Sequence, residues 1–212
     1  MSEASVTGSA AAWVETVAAL WPGARIDLVR PGAPGGGTDF AFLPDAERPR
    51  LLLPGSPRAA AAALRRYSHD LTVPQRVSRS LTATALRTGL PQRALRDRLR
   101  IVGDHGGGSV ADHLSGLLGR EVVVSVGLGT ARANRKPILH VLTPSGRQVA
   151  FVKVGDTDTA RELVAREAAA LGVLADRPMR GVAVPQVLDH GPWNGMTLLV
   201  LSPLPTSARG WR

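Results

Sequence analysis

Apolar residues recur along this chain with two periods, and each change of period marks an element. Residues 10–20 repeat at helical spacing, and three short apolar runs, 26–29, 39–43 and 50–53, follow as strands separated by turn residues. Residues 58–67 and 73–88 again read as helices. So do 109–118, where Ser109 is placed to cap the first turn and Gly119 stands just past the last. Beyond that point strands dominate: 121–129, 138–142, 148–154, 182–188 and 196–201. They are interrupted by one long helical segment, 159–174, with Asp156 or Thr157 as its cap. Pro144 and Gly146 predict a hairpin turn between the second and third of these strands, and Asn194-Gly195 predicts a tight turn before the last. The pattern predicts an α+β fold. Its second half is a five-stranded antiparallel sheet with one packed helix, preceded by a mixed, mainly helical, arginine-rich region.

One residue stands out against this pattern. Val149, Phe151 and Lys153 share a face of the third strand in the second half, and the two apolar neighbours mark that face as the buried one. Of the 26 Lys and Arg residues only Lys136 and Lys153 are lysines. A chain that uses arginine almost everywhere places at Lys153 a compact point charge, the shape suited to a phosphate. In the helix that follows, Leu163, Leu171 and Leu174 form the apolar stripe and Glu167 lies within it. A carboxylate and an ammonium that both face a core each need an opposite charge, so the two are expected to pair.

The parts come in a telling order. Gly127-Leu128-Gly129-Thr130-Ala131 opens the connection between the first two strands, the lysine strand and the glutamate helix follow, and the last strand runs out through Leu201-Ser202-Pro203-Leu204. Over residues 121–204 the chain resembles the amino-terminal lobe of the protein-kinase-like fold. Among its branches it is most similar to the aminoglycoside phosphotransferase and choline kinase group of small-molecule kinases. The resemblance implies ATP as the cofactor. Lys153 would hold its α- and β-phosphates, Glu167 would orient Lys153, and Gly127, Leu128, Gly129, Thr130 and Ala131 would cover the phosphates. The backbone of Leu201, Ser202 and Leu204 would meet the adenine.

Two departures qualify what the resemblance implies. The loop lacks a third glycine, and no acid follows Asp189, while Asp189-His190-Gly191 reverses the order of the family's His-Gly-Asp element. In that family a carboxyl-terminal lobe supplies the catalytic aspartate and the magnesium ligands. The expectation is therefore the amino-terminal portion of an ATP-dependent small-molecule phosphotransferase, inactive alone, with no catalytic residue in this chain. Magnesium is expected only with the missing lobe, and the acceptor is a small molecule bound by the full-length protein. On this basis residues 1–105 form an amino-terminal region of unknown role, 106–204 the kinase-like lobe, and 205–212 a hinge remnant or truncated tail.

Charge adds a competing possibility. Residues 58–100 carry ten arginines against Asp70 and Asp97, in a chain of net charge +9. A non-catalytic module could use this stretch against nucleic acid or an acidic partner. Nucleic acid is disfavoured, because Tyr67 is the sole aromatic residue there and bases would find almost nothing to stack on. Pro31 to Gly37 reads as a connector, since no lysine and hydroxyl residue follow it as they do in a phosphate cradle. The five histidines are scattered without ligand spacing, and the chain has no cysteine. No apolar run is long enough for a membrane span, and no export signal is visible, so the cytoplasm is the expected location. Finally, if a second lobe is missing, Val126, Phe151 and Leu201 should be partly exposed and promote self-association, unless the amino-terminal region covers them.

Overall fold

The computed structural model describes residues 8–47, 49–66, 98–103, 108–128, 137–177 and 182–204. Among them the elements run α1 (Gly8–Leu20), β1 (Arg25–Val29), β2 (Thr38–Leu43), β3 (Leu51–Pro54), α2 (Pro57–Arg66), β4 (Arg98–Val102) and α3 (Val110–Leu118). They continue as β5 (Val123–Gly127), β6 (Ile138–Leu142), β7 (Gln148–Gly155), α4 (Asp158–Ala175), β8 (Val187–Trp193) and β9 (Met196–Leu201). All these strands join one antiparallel sheet in the order β1-β4-β2-β3-β5-β6-β7-β9-β8. The α+β class expected from the sequence holds. The sheet, however, has nine strands rather than five.

Alternation along the strands sends side chains to two faces, and both are covered. A back layer of α1 and α3 brings Trp13, Val17, Leu20 and Leu114 into one cluster with Phe42, Val126, Val152 and Val200. Trp13 stands edge-on to Phe42 with ring centroids 4.9 Å apart, and Trp21 meets Phe40 in the same way at 5.2 Å. On the front face α2 packs against Leu51, Leu53 and Leu142, and α4 against Leu199 and Leu201.

Local chemistry fixes the ends of these elements. Ser109 and Asp112 form a reciprocal capping box at the start of α3, and Gly119 closes the helix in the left-handed conformation. At α4 the cap is Thr157, whose hydroxyl accepts from the Ala160 amide at 3.2 Å. In the β6–β7 turn Gly146 has φ 88°, and a Cβ there would fall 2.6 Å from the Arg58 carbonyl oxygen. That turn is therefore seated directly on the start of α2, where Ser56 also donates to the Pro144 carbonyl at 3.0 Å.

Several expectations need correction. β4 is a strand that the pattern did not predict, at the end of the arginine-rich stretch; its Leu99 and Ile101 are buried, and it pairs with both β1 and β2. β8 begins at Val187 rather than 182 and extends past the expected end at 188, through Asp189, His190 and Gly191 to Trp193. Pro192 is tolerated there because β8 is an edge strand. The helix expected over 73–88 falls outside the described residues. The first four strands are not a separate layer, since Leu51 pairs with Gly127 and Leu52 with Val126 across the expected boundary at 105/106. The β3–β5 ladder consists of those two pairs. Beyond it lies a cavity of about 430 Å³, lined among others by Asp39, Pro54, Ser109 and Val122. Val126 and Leu201 are buried rather than exposed, Val126 because the amino-terminal helices cover its face. No helix among the described residues is long and apolar enough to cross a membrane.

Candidate functional site

Lys153 lies in β7, in register with Ile138 on one side and Leu199 on the other. Its Nζ donates to Glu167 Oε1 of α4, so the ion pair expected from the sequence is present. The face was misjudged, though. Ala150, Val152 and Val154 are the fully buried side chains of this strand, because they point into the back layer. Phe151 and Lys153 point to the front, where α4 gives only partial cover, whereas Val149 falls at a bulge in the β6–β7 ladder and packs against the back cluster. The side chains of Lys153 and Glu167 are 32% and 34% exposed, which leaves the pair within reach of a ligand.

The inward stripe of α4 is also rotated from the expected one. It consists of Ala160, Val164 and Leu171, while Leu163 is exposed. Glu167 still falls within the stripe, three residues after Val164 and four before Leu171. The helix can approach β7 closely because Gly155 has no side chain: a Cβ there would lie 2.9 Å from the Arg161 backbone.

The remaining residues expected at the site divide. Gly127 is the last residue of β5, opposite Ile138, and a Cβ on it would come 3.2 Å from the Ile138 carbonyl oxygen. It therefore sits in the same cross-strand row as Lys153. Leu128 is buried in the core and its amide donates to the Arg50 carbonyl at 2.9 Å, so both groups serve the fold. Gly129, Thr130 and Ala131 lie outside the described residues. Leu201 belongs to the small front cluster with Val164, Leu171 and Leu199. The Ser202 amide donates to the Gln186 carbonyl at 2.8 Å, and its hydroxyl accepts from the Gln186 amide at 2.8 Å. Leu204 is exposed.

A second polar cluster was not anticipated. Arg100 of β4 donates from Nε and Nη2 to the two carboxylate oxygens of Asp39 in β2, and from Nη1 and Nη2 to the carbonyls of Pro34 and Ala33, each at 2.9 Å. The hydrogen bonds from Arg100 hold the Asp39 carboxyl below the usual carboxylate range, against an opposing desolvation cost. The connector from Pro31 to Gly37 is thus fastened to the sheet. The signal in the sequence was the alternation of Arg98 and Arg100 with Leu99 and Ile101, a strand pattern inside a basic run. Arg100 is nearly buried and turned inward, which removes it from any basic surface. Among the described residues no group of three or more His, Asp or Glu could hold a metal ion.

Comparison with protein-family models, with curated sequences and with solved structures returned no match.

Proposed function

We propose that β5 to β9 with α4 form the nucleotide-gripping lobe of an ATP-dependent small-molecule phosphotransferase, of the kind the aminoglycoside phosphotransferase and choline kinase group uses. The observation that carries this proposal is the Lys153–Glu167 pair, made between the third strand of the lobe and the helix that follows it, and left a third exposed. A cation fixed by a carboxylate yet open to solvent can still accept an anionic ligand. Register supports the same view. The row Gly127, Ile138, Lys153, Leu199 lies two residues along the strands from the row His140, Phe151, Leu201, a separation of about 7 Å at the rise of a strand. Phosphates would meet the first row; in the second His140 and Leu201 are buried, so a base on the same face would approach over the partly exposed Phe151. Gly127 adds no side chain to the first row, next to Ile138.

The hinge sets a limit on how a base is recognised. The Ser202 amide is already committed to Gln186 and Pro203 has none, so recognition falls to the rest of that backbone. Phosphoryl transfer also needs a base for the hydroxyl proton and carboxylates for magnesium. We expect this lobe to bind nucleotide and to depend on a further lobe for those groups and for the acceptor alcohol. A chain without cysteine suits the cytoplasm.

Calorimetric titration with ATP tests the proposal. Saturable binding is expected, weakened roughly 10- to 100-fold in Lys153→Ala, the loss of one charge-assisted bond. An intact chain that does not bind ATP overturns the proposal, and binding unchanged in Lys153→Ala moves the nucleotide elsewhere.

A further inference from the structure

The turn between β8 and β9 is held from both sides of the sheet. Asn194 and Gly195 both have positive φ, 44° and 72°, so the turn has one defined shape. From the back, the last turn of α1 presents the Ala19 carbonyl, to which Asn194 Nδ2 donates at 3.0 Å. Trp193, beside the turn, stacks on His113 of α3 with ring centroids 5.7 Å apart. From the front, Arg161 in the first turns of α4 donates from Nη2 to the Gly195 carbonyl at 2.7 Å, while its Nη1 is held by Asp158 at 2.6 Å. Both back-layer helices and the front helix thus meet at one short turn.

We propose that this turn is a junction through which the amino-terminal helices set the Lys153–Glu167 pair, with Arg161 as the positioning residue. Glu167 follows Arg161 by six residues in the same helix, about 9 Å along its axis, so whatever fixes Arg161 fixes the height and rotation at which Glu167 meets the strand. The apolar seat of α4 is small: Ala160, Val164 and Leu171 are its buried residues, and Val164 and Leu171 form a cluster with Leu199 and Leu201, edged by Phe151, Ala168 and Val184. A seat of this size, with one close backbone approach at Gly155, holds the helix against the sheet but leaves rotation about that contact less determined than distance from it, and the tether to Gly195 adds a restraint on rotation. A partner or modification that shifted α1 would then change the grip on nucleotide without touching the site. That functional meaning rests on the nucleotide proposal above, whereas the positional claim stands on the geometry alone.

The test reads the pair directly. Lys153 is one of only two lysines, so its acetylation by an N-hydroxysuccinimide ester, followed by peptide mass, reports how often the amine leaves Glu167. Lys136 serves as the internal reference. Two variants cut the two tethers: Arg161→Ala, and Asn194→Gly, which preserves the positive-φ turn and removes only the side-chain bond. Each should raise the Lys153 to Lys136 labelling ratio about fivefold, the population change that follows loss of one hydrogen bond. The double variant should rise no further, because both substitutions interrupt one path. An unchanged ratio in both single variants overturns the proposal, as does a rise matched by Lys136, which would signal general loosening. If the ratio rises while the wild-type chain fails to bind ATP, the junction stands and the nucleotide proposal falls. If ATP binds and the ratio does not move, the reverse holds.

Discussion

Arg100 grips Asp39 as a two-bonded fork, Nε to Oδ1 at 2.7 Å and Nη2 to Oδ2 at 2.9 Å, across the neighbouring strands β4 and β2. Because the same guanidinium holds the Ala33 and Pro34 carbonyls, one side chain ties a sheet ladder to the connector beside it. The Asp39 carboxyl is held below its ordinary value by these bonds, so the unfolded chain binds its proton more readily than the folded one. The stability it contributes is complete above the unfolded value of about 4 and is lost as the pH falls through the lower folded value. Urea midpoints measured from pH 6 downward should decline in the acid limb, and Asp39→Asn should start from a lower midpoint and flatten that part of the decline. An Asp39→Asn profile parallel to the wild type would mean that other carboxylates govern acid sensitivity.

Glu167→Gln keeps the shape of the site and removes the charge that fixes Lys153. ATP affinity should fall by about tenfold, the lower end of what a charge-assisted bond contributes, with no change in the far-ultraviolet circular dichroism. Affinity that rises instead would show that the carboxylate competes with phosphate for the lysine.

Gly146→Ala tests the contact between the two halves of the sheet. The new Cβ would meet the Arg58 carbonyl oxygen at 2.6 Å in a left-handed backbone, so a loss of roughly 1 to 3 kcal/mol is expected in chemical denaturation. A neutral effect would mean that the turn does not rest on α2 in solution.

Trp13→Ala removes the largest side chain of the back layer. Its ring is almost fully buried against Phe42, and a cost of about 3 to 5 kcal/mol follows for such a truncation. Trp13→Phe should cost far less, since the indole N–H is buried with no hydrogen-bond partner among the described residues. Both variants should lose amide-exchange protection in β7 and β9 as well as in β2, because Val152, Val200 and Phe42 share one cluster with Trp13. Protection lost only in β2 would show that the halves fold separately. For the same reason a chain starting at residue 106 should fail to fold cooperatively.

What the sequence made legible was whatever depends on near neighbours. The Ser109 cap, the Gly119 stop, the Asn194-Gly195 turn and the period-2 strands β5 to β7 and β9 each follow from a few adjacent residues. The Lys153–Glu167 pair was legible for a different reason: each charge breaks an apolar pattern, and the breaks match. What stayed hidden was pairing between distant segments. Nothing in Leu51-Leu52-Leu53 announces that it will pair with β5, and arginine content masked the alternation of β4. The direction of Lys153 was misread because a covered back face was not foreseen, and with it the more buried side of β7 changed.

As a mechanical object the molecule has a tear line. Most neighbouring strands are joined by four to six residue pairs, whereas β3 and β5 share two, with a cavity continuing beyond them. A sideways load would part the sheet there first, opposed by the Ser125 hydroxyl on the Leu52 carbonyl at 2.7 Å, the Leu128 amide on the Arg50 carbonyl at 2.9 Å, α2 lying across the front and the back layer that spans both sides. Thermal breathing of the sheet should concentrate along that line, which leaves the back-layer helices, rather than the strand ladder, as the route by which the first four strands and the Lys153 strand feel one another.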